Sequence, residues 1–215
     1  MSAAVERELN LLFRAGYRVV VLETFEEDRA LRLLERAAGK SEREFHAWSL
    51  AAGWDGSGEG AGSLDLGLTA IRERTEPGVF VILDAHAVVQ DAMAMRRLRD
   101  LASGLSGRRQ TVVLVAPVLE LPMELEREAT HVQLPLPTAP ELRRLFDRVA
   151  EATPDGQVDE TAMGDCVRAA LGLTGAEAVR VFRKAWMDAG AVDATAVARI
   201  VGEKRKALRL SLIHI

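Results

Sequence analysis

Residues 17–28 read Tyr-Arg-Val-Val-Val-Leu-Glu-Thr-Phe-Glu-Glu-Asp. The run Tyr17–Glu23 is apolar almost without alternation, as a strand covered by helices on both faces requires. Two later runs share that character, Val79–Asp84 (VFVILD) and Thr111–Ala116 (TVVLVA). Two flanking runs, Glu44–Leu50 and His131–Pro135, also read as strands, giving five in all. Between them, apolar residues recur at helical spacing: Leu31, Leu34 and Ala38; Leu64, Leu68 and Ile71; Met95, Leu98, Ala102 and Leu105. Alternating strands and helices predict an α/β fold, a five-stranded parallel sheet sandwiched by helices through right-handed crossovers. A leading helix carrying Leu9, Leu12 and Phe13 packs beside it.

Beyond Pro137 the pattern becomes helical. Leu142, Leu145, Phe146 and Val149 share one face, and Thr138 with Glu141 spells a capping box, as do Thr174 and Glu177. Helices are expected over 138–152, 160–171, 174–188 and 193–208, with no strand among them. The organisation is therefore an α/β part, 1–137, a helical part, 138–208, and a tail, 209–215.

The 215 residues carry 28 Lys and Arg against 32 Asp and Glu, a net charge of −4 spread along the chain. That distribution argues against nucleic acid as a partner. No segment reaches the about 18 apolar residues of a membrane span, and Met1–Asn10 lacks a signal-peptide core, so a cytoplasmic protein with no membrane partner is expected. With Cys166 alone, neither an internal disulfide nor a cysteine zinc cage is expected. Arginine's excess over lysine hints at a GC-rich bacterial source.

An open parallel sheet holds ligands beyond the carboxyl ends of its strands. After the first strand, a phosphate-binding loop would show G-x-x-x-x-G-K-[ST]. This chain instead places Thr24 and Glu27 at capping-box spacing, with Glu26, Glu27 and Asp28 at the positive end of the helix dipole. Gly39-Lys40-Ser41 copies the end of that motif but follows a helix, which makes it a helix C-terminus. Gly53–Ser63 (GWDGSGEGAGS) reads as a flexible loop, since Asp55 and Glu59 would repel a phosphate. Asp84 after the third strand stands where P-loop enzymes hold a magnesium-coordinating acid, followed by Ala85 and His86. After the fourth strand come Ala116 and Pro117, neither able to contact a γ-phosphate through a polar side chain. The four histidines, His46, His86, His131 and His214, lack zinc spacing, so no metal is expected from them. Arg96, Arg97, Arg99, Arg108 and Arg109 cluster on one helix and the turn after it. They read either as a solvated face balanced by Asp91 and Asp100 or as a contact for a partner.

An ordered series of segments then resembles one family. It comprises Glu8–Tyr17, the strand VVVLETFEEDRA, Trp48–Leu50, GVFVILDAH, Arg96–Ala102, TVVLVAPVLELPMELE over Thr111–Glu126, Leu134–Pro137, Ala170–Ala185 and Glu203–Lys206. Together they are similar to the hypothetical plastid reading-frame family of AAA+ ATPases, across nearly all of residues 5–208. The resemblance implies a degenerate first module whose downstream neighbour carries intact Walker motifs, with ATP and magnesium belonging to that neighbour and no cofactor to this one. It implies partners in that downstream AAA+ module or in other subunits of an oligomer, and roles in assembly, regulation or docking. It places Thr24, Asp84 and Ala116 at the vestigial Walker A, Walker B and sensor positions, of which only Asp84 keeps its type. The family's usual glutamate after that acid is Ala85 here. No catalytic residue is expected in this stretch. The rival expectation is a weak nucleotide- or metal-dependent hydrolase using Asp84 and His86, with Glu26, Glu27 and Asp28 around a metal. A phospho-receiver fold is weaker still, since Thr or Ser after strand four and Lys after strand five are missing. The tail Leu210–Ile215 departs from the family, as a truncated or misassembled end would.

Overall fold

The computed structural model describes residues 2–89, 92–105, 107–152 and 157–212. The chain divides into two compact units, Met1–Pro135 and Leu136–Ile215.

The first unit opens with helix α1 (Ser2–Ala15), then β1 (Val19–Glu23), α2 (Glu27–Lys40), β2 (Glu44–Ser49) and β3 (Gly53–Trp54). It continues through α3 (Leu64–Glu73), β4 (Gly78–Ile82), α4 (Ala85–Val88), α5 (Ala92–Gly104), β5 (Gln110–Ala116), α6 (Met123–Glu126) and β6 (Ala129–Gln133). The sheet order is β3-β2-β4-β5-β1-β6. The five expected strands are all present and parallel, and the sixth, β3, pairs antiparallel with β2 at the edge. Two residues long, β3 lies inside the glycine stretch and is too short to register as a strand pattern.

Alternate residues of the central strands enter separate cores. Val20, Leu22, Val79, Val81, Val113 and Val115 meet Leu9 and Phe13 of α1 and Leu33, Leu34 and Ala37 of α2. Val19, Val21, Phe80, Ile82, Val112 and Leu114 meet Leu68 and Ile71 of α3 and Leu98 and Leu101 of α5. Each fully buried Val or Leu contributes about 1.5–3 kcal/mol of apolar transfer, which is why these runs do not alternate with polar residues.

The glycine stretch is not the flexible loop its composition suggests. The Trp48 indole N–H donates to the Gly60 carbonyl at 2.9 Å, and that of Trp54 donates to the Gly67 carbonyl at 3.0 Å. The Trp54 amide donates to the Glu59 carbonyl at 2.8 Å. Gly53, at φ +69°, lies so close to the Glu59 carbonyl that an added Cβ would fall 2.3 Å from its oxygen. The Trp48 indole therefore ties this loop to β2 and the Trp54 indole ties it to α3, while Gly53 permits the close approach to Glu59.

The second unit contains α7 (Ala139–Glu151), β7 (Gln157–Val158), α8 (Glu160–Ala170), α9 (Gly175–Ala189), β8 (Ala191–Val192) and α10 (Ala194–Leu212). Both capping boxes form: the Thr138 amide donates to Glu141 Oε2 and the Thr174 amide to Glu177 Oε2, each at 2.9 Å. The helices enclose Phe146 stacked on Phe182 at 4.0 Å, with Trp186 edge-on to Phe182. The expectation of no strand needs correction, because β7 and β8 form a short parallel ladder. Cys166 is buried in this core and its thiol is pushed up to about 11, chiefly by burial. Helix α10 runs through Leu212, so the backbone of 209–212 is helical; His214 lies outside the described residues.

Helices α1 and α2 are joined by Glu6, which is 8% exposed and pairs with Lys40 and, at 2.9 Å, Arg36. Its carboxyl is held below the usual carboxylate range, first by the Lys40 hydrogen bond, against burial, and then by Arg36. A depressed acid contributes stability above its unfolded pKa and loses it as pH falls through the folded one. Glu6→Gln is expected to cost about 1 kcal/mol at pH 7, limited by solvent screening of the two exposed cations. Denaturant titrations at pH 7 and at pH 3 check this, the difference between the two proteins shrinking at the lower pH.

Candidate functional site

The carboxyl ends of β1, β4 and β5 converge on one edge of the sheet, and there lie the three positions singled out in the sequence. Thr24 and Ala116 are both buried and are joined directly, the Thr24 amide donating to the Ala116 carbonyl at 2.8 Å. Asp84 follows β4 in the left-handed region, φ 50°, and precedes the four-residue α4. Aspartate is one of the residues that enter this region, as Asp55 also does at φ 51°. Asp84 reaches the first loop electrostatically. The Glu27 carboxyl is raised above its usual range, first by partial burial, then by Asp84 and then by Asp28. The structure thus gathers Thr24, Ala116, Asp84, Glu27 and Asp28 at one edge.

The capping box expected from Thr24 and Glu27 does not form. Helix α2 starts at Glu27, so Glu26 is its N-cap and carries no side-chain cap bond. Thr24 lies two residues too early, and its hydroxyl instead accepts the Glu26 amide at 3.0 Å in a local turn. The buried Glu26 carboxylate pairs with Arg29. Arg29 also donates to the Pro135 carbonyl and to the Ser2 hydroxyl, both at 2.7 Å. The cation nearest this loop in sequence is therefore engaged by the chain itself.

These facts decide how the edge would receive a nucleotide. A triphosphate needs backbone amides from a glycine loop and a lysine against its charge. Here Glu26, paired with Arg29, and the acids Glu27 and Asp28 open α2, and Asp84 lies close enough to raise Glu27. Phe25, 73% exposed, projects from the same turn. The residues present do not fit a phosphate group, for reasons of charge more than of closed donors. Nor do they assemble a metal centre: among the described residues no group of three or more His, Cys, Asp or Glu gathers to hold an ion. His86 is exposed on α4 and has no hydrogen-bond or ion-pair partner among the described residues.

The five arginines do not form one patch. Arg97 pairs with Asp65 against α3, and Arg108 donates to the Arg72 and Arg74 carbonyls at 3.3 Å. Arg109 donates to the Ser41 carbonyl at 2.9 Å. Arg96 makes an exposed pair with Asp100 at 2.9 Å. Arg99 is left without a partner among the described residues, and Asp91, expected to balance the group, lies outside them. Missed in the sequence was Arg43, a buried guanidinium that donates to Thr111 Oγ1 at 2.8 Å and to the Phe13 carbonyl, joining α1 to the starts of β2 and β5. It follows a helix and opens a strand, where an arginine ordinarily faces water, so no local signal marks it.

The sheet order, the parallel crossovers and the site at the carboxyl edge define a AAA-type P-loop NTPase fold. In solved structures it resembles the FIGL-1 AAA domain, 15% identical with a TM-score of 0.67, over 93% of this chain and 78% of that one. A RuvB variant of Thermotoga maritima gives 16% and 0.61, over 93% and 68%, and a chain from a study of katanin self-assembly gives 18% and 0.58, over 86% and 68%. Residues 5–134 match the SpoVK-like AAA ATPase N-terminal domain, and residues 140–211 match the second domain of the same family. The chain belongs to the SpoVK-like AAA ATPases. Similar proteins include the uncharacterized AAA domain-containing protein ycf46 of Guillardia theta, 26% identical over 185 residues, 83% of this chain and 36% of that protein. Its counterpart in Trieres chinensis is 22% identical over 206 residues, 93% and 41%. The chain thus spans well under half the length of the curated relatives it matches.

Because Glu27 is raised, its ionised form is penalised in the folded state; the penalty is full above the folded pKa and disappears as pH falls below the unfolded one. Glu27→Gln is expected to stabilise the chain by a few tenths of a kcal/mol, about 0.3, at pH 7 after allowing for solvent screening. Thermal melts from pH 7 to pH 3.5 check this, the advantage of the variant vanishing at the acid end.

Proposed function

We propose that this chain is a non-catalytic AAA module that serves a neighbouring ATPase module in assembly, regulation or partner docking. In this reading residues 1–137 are the α/β wedge, 138–208 the helical lid, and 209–215 an atypical tail. The observation that carries it is the carboxyl edge of the sheet. Glu26, Glu27, Asp28 and Asp84 stand where bound phosphate requires donors and a cation, and Arg29 is tied to Glu26 and Pro135. A fold retained with its phosphate site replaced by acids supports work done through surfaces. The length of the ycf46 proteins supports the reading too, since more than half of each lies outside the stretch shared with this chain. ATP and magnesium then belong to a separate module. The katanin study concerns self-assembly of that protein, and by analogy of fold the present module's partners are a downstream AAA+ module or further subunits.

Isothermal titration of the purified chain with Mg-ATP, with phosphate release followed in parallel, tests this. The expected result is no saturable heat up to about 1 mM nucleotide, meaning binding weaker than about 4 kcal/mol, and no turnover. Saturable micromolar binding, or phosphate release abolished by Asp84→Ala, would overturn it.

A further inference from the structure

Helix α5 turns one face inward and lines a cleft with another. Ala94, Leu98, Leu101 and Ala102 are buried, whereas Ala92, Met95, Arg96 and Arg99 recur at i, i+3, i+4 and i+7 on a different stripe. That stripe forms one wall of a cleft of about 670 Å³ whose other wall is the segment from Glu120 through Leu121 to Leu125 of α6. The floor is apolar: Leu125 is buried, and Met95 and Leu121 are partly buried while packing against the core. Met123, 81% exposed, lies beside it on α6.

The charges of the α5 wall give the cleft its preference. Among the described residues Arg99 has no partner, and Arg96 is held by the exposed i, i+4 pair with Asp100, which is readily exchanged. The facing wall contributes the Glu120 carboxylate to the lining. Arginine and methionine are the residue types enriched where proteins bind one another, methionine because its unbranched thioether adapts to varied partners. From Ala92 to Arg99 the stripe is two helical turns, about 10 Å long.

We propose that this cleft docks an acidic amphipathic helix of a partner protein. Two or three turns of such a helix place apolar side chains over Met95, Leu121 and Leu125, and carboxylates one turn apart against Arg96 and Arg99. The geometry matches helix-in-groove recognition, in which anchors at i, i+3, i+4 and i+7 fill an apolar channel and rim charges set the orientation. The proposal takes from the reading above only that a partner docks on this module, and it does not depend on the absence of nucleotide binding.

A displayed library of helical peptides, panned on the whole chain and counter-selected on Arg99→Glu and on Leu121→Glu, tests it. Arg99 is exposed and Leu121 is partly buried on the cleft floor, so far-UV circular dichroism checks that each variant is folded. The expected outcome is enrichment of peptides with leucines at helical spacing and glutamates or aspartates beside them. Synthesised singly, these bind the wild-type chain, lose about tenfold or more on Arg99→Glu, and weaken with salt. Enrichment of basic or uncharged peptides, binding to either variant as tight as to the wild-type chain, or no enrichment would overturn it. So would a concentration-dependent dimer in sedimentation velocity that disappears in Leu121→Glu, since the occupant would then be a second copy. Nucleotide binding with groove-dependent peptides would sink the proposed function and leave the cleft standing; the reverse pattern would do the opposite.

Discussion

The α/β unit depends on one constraint, that β1, β4 and β5 must be covered on both faces. Val20 and Leu22 face α1 and α2 while Val19 and Val21 face the α3 and α5 side, so neither helical layer can be removed without exposing the centre of the sheet. Covering both faces requires crossover helices, crossover helices make the sheet parallel, and a parallel sheet gathers its loops at one edge. The position of the site follows from burial alone. Its chemistry does not, because the loop side chains at that edge are free to vary without disturbing the core.

In the proposed reading, that separation lets a AAA fold persist around an edge that is unsuited to phosphate. Thr24 is bonded through its amide to Ala116, and Asp84 follows the neighbouring β4 close enough to raise Glu27. The groups around them have the wrong sign. Three acids at the positive end of α2 suit the helix dipole and repel an anionic ligand, so the same residues that favour the helix oppose a nucleotide. The exposed Phe25 and the cleft beside α5 are among the apolar surfaces the unit presents.

Much of the fold was legible because apolar runs and helical periodicity extend over whole elements. The five parallel strands, the longer helices of both units and the Thr138 and Thr174 caps lie where the pattern places them, whereas the four-residue α4 and α6 leave no such pattern. Features decided by a few residues or by distant contacts were not legible. The antiparallel β3 and the β7–β8 ladder are two residues each. The order in the glycine stretch comes from the Trp48 and Trp54 indoles reaching carbonyls twelve and thirteen residues away. At the site, the spacing of Thr24 and Glu27 was right for a cap, but the helix begins at Glu27 and the hydroxyl closes a turn on Glu26 instead. The arginine cluster was visible as a run of charge. Only the structure separates Arg97, Arg108 and Arg109, held by their own chain, from Arg96 and Arg99 on the cleft.

The central claim is that the carboxyl edge of the sheet repels phosphate through its own acids. The most direct measurement is an amide-resolved NMR titration of the isotopically labelled chain with Mg-ATP, following residues 24–29, 84–87 and 116–118. The account predicts that these amides do not move beyond the general effect of added salt. Saturable shifts concentrated at Glu26, Glu27, Asp28 and Asp84 would contradict it.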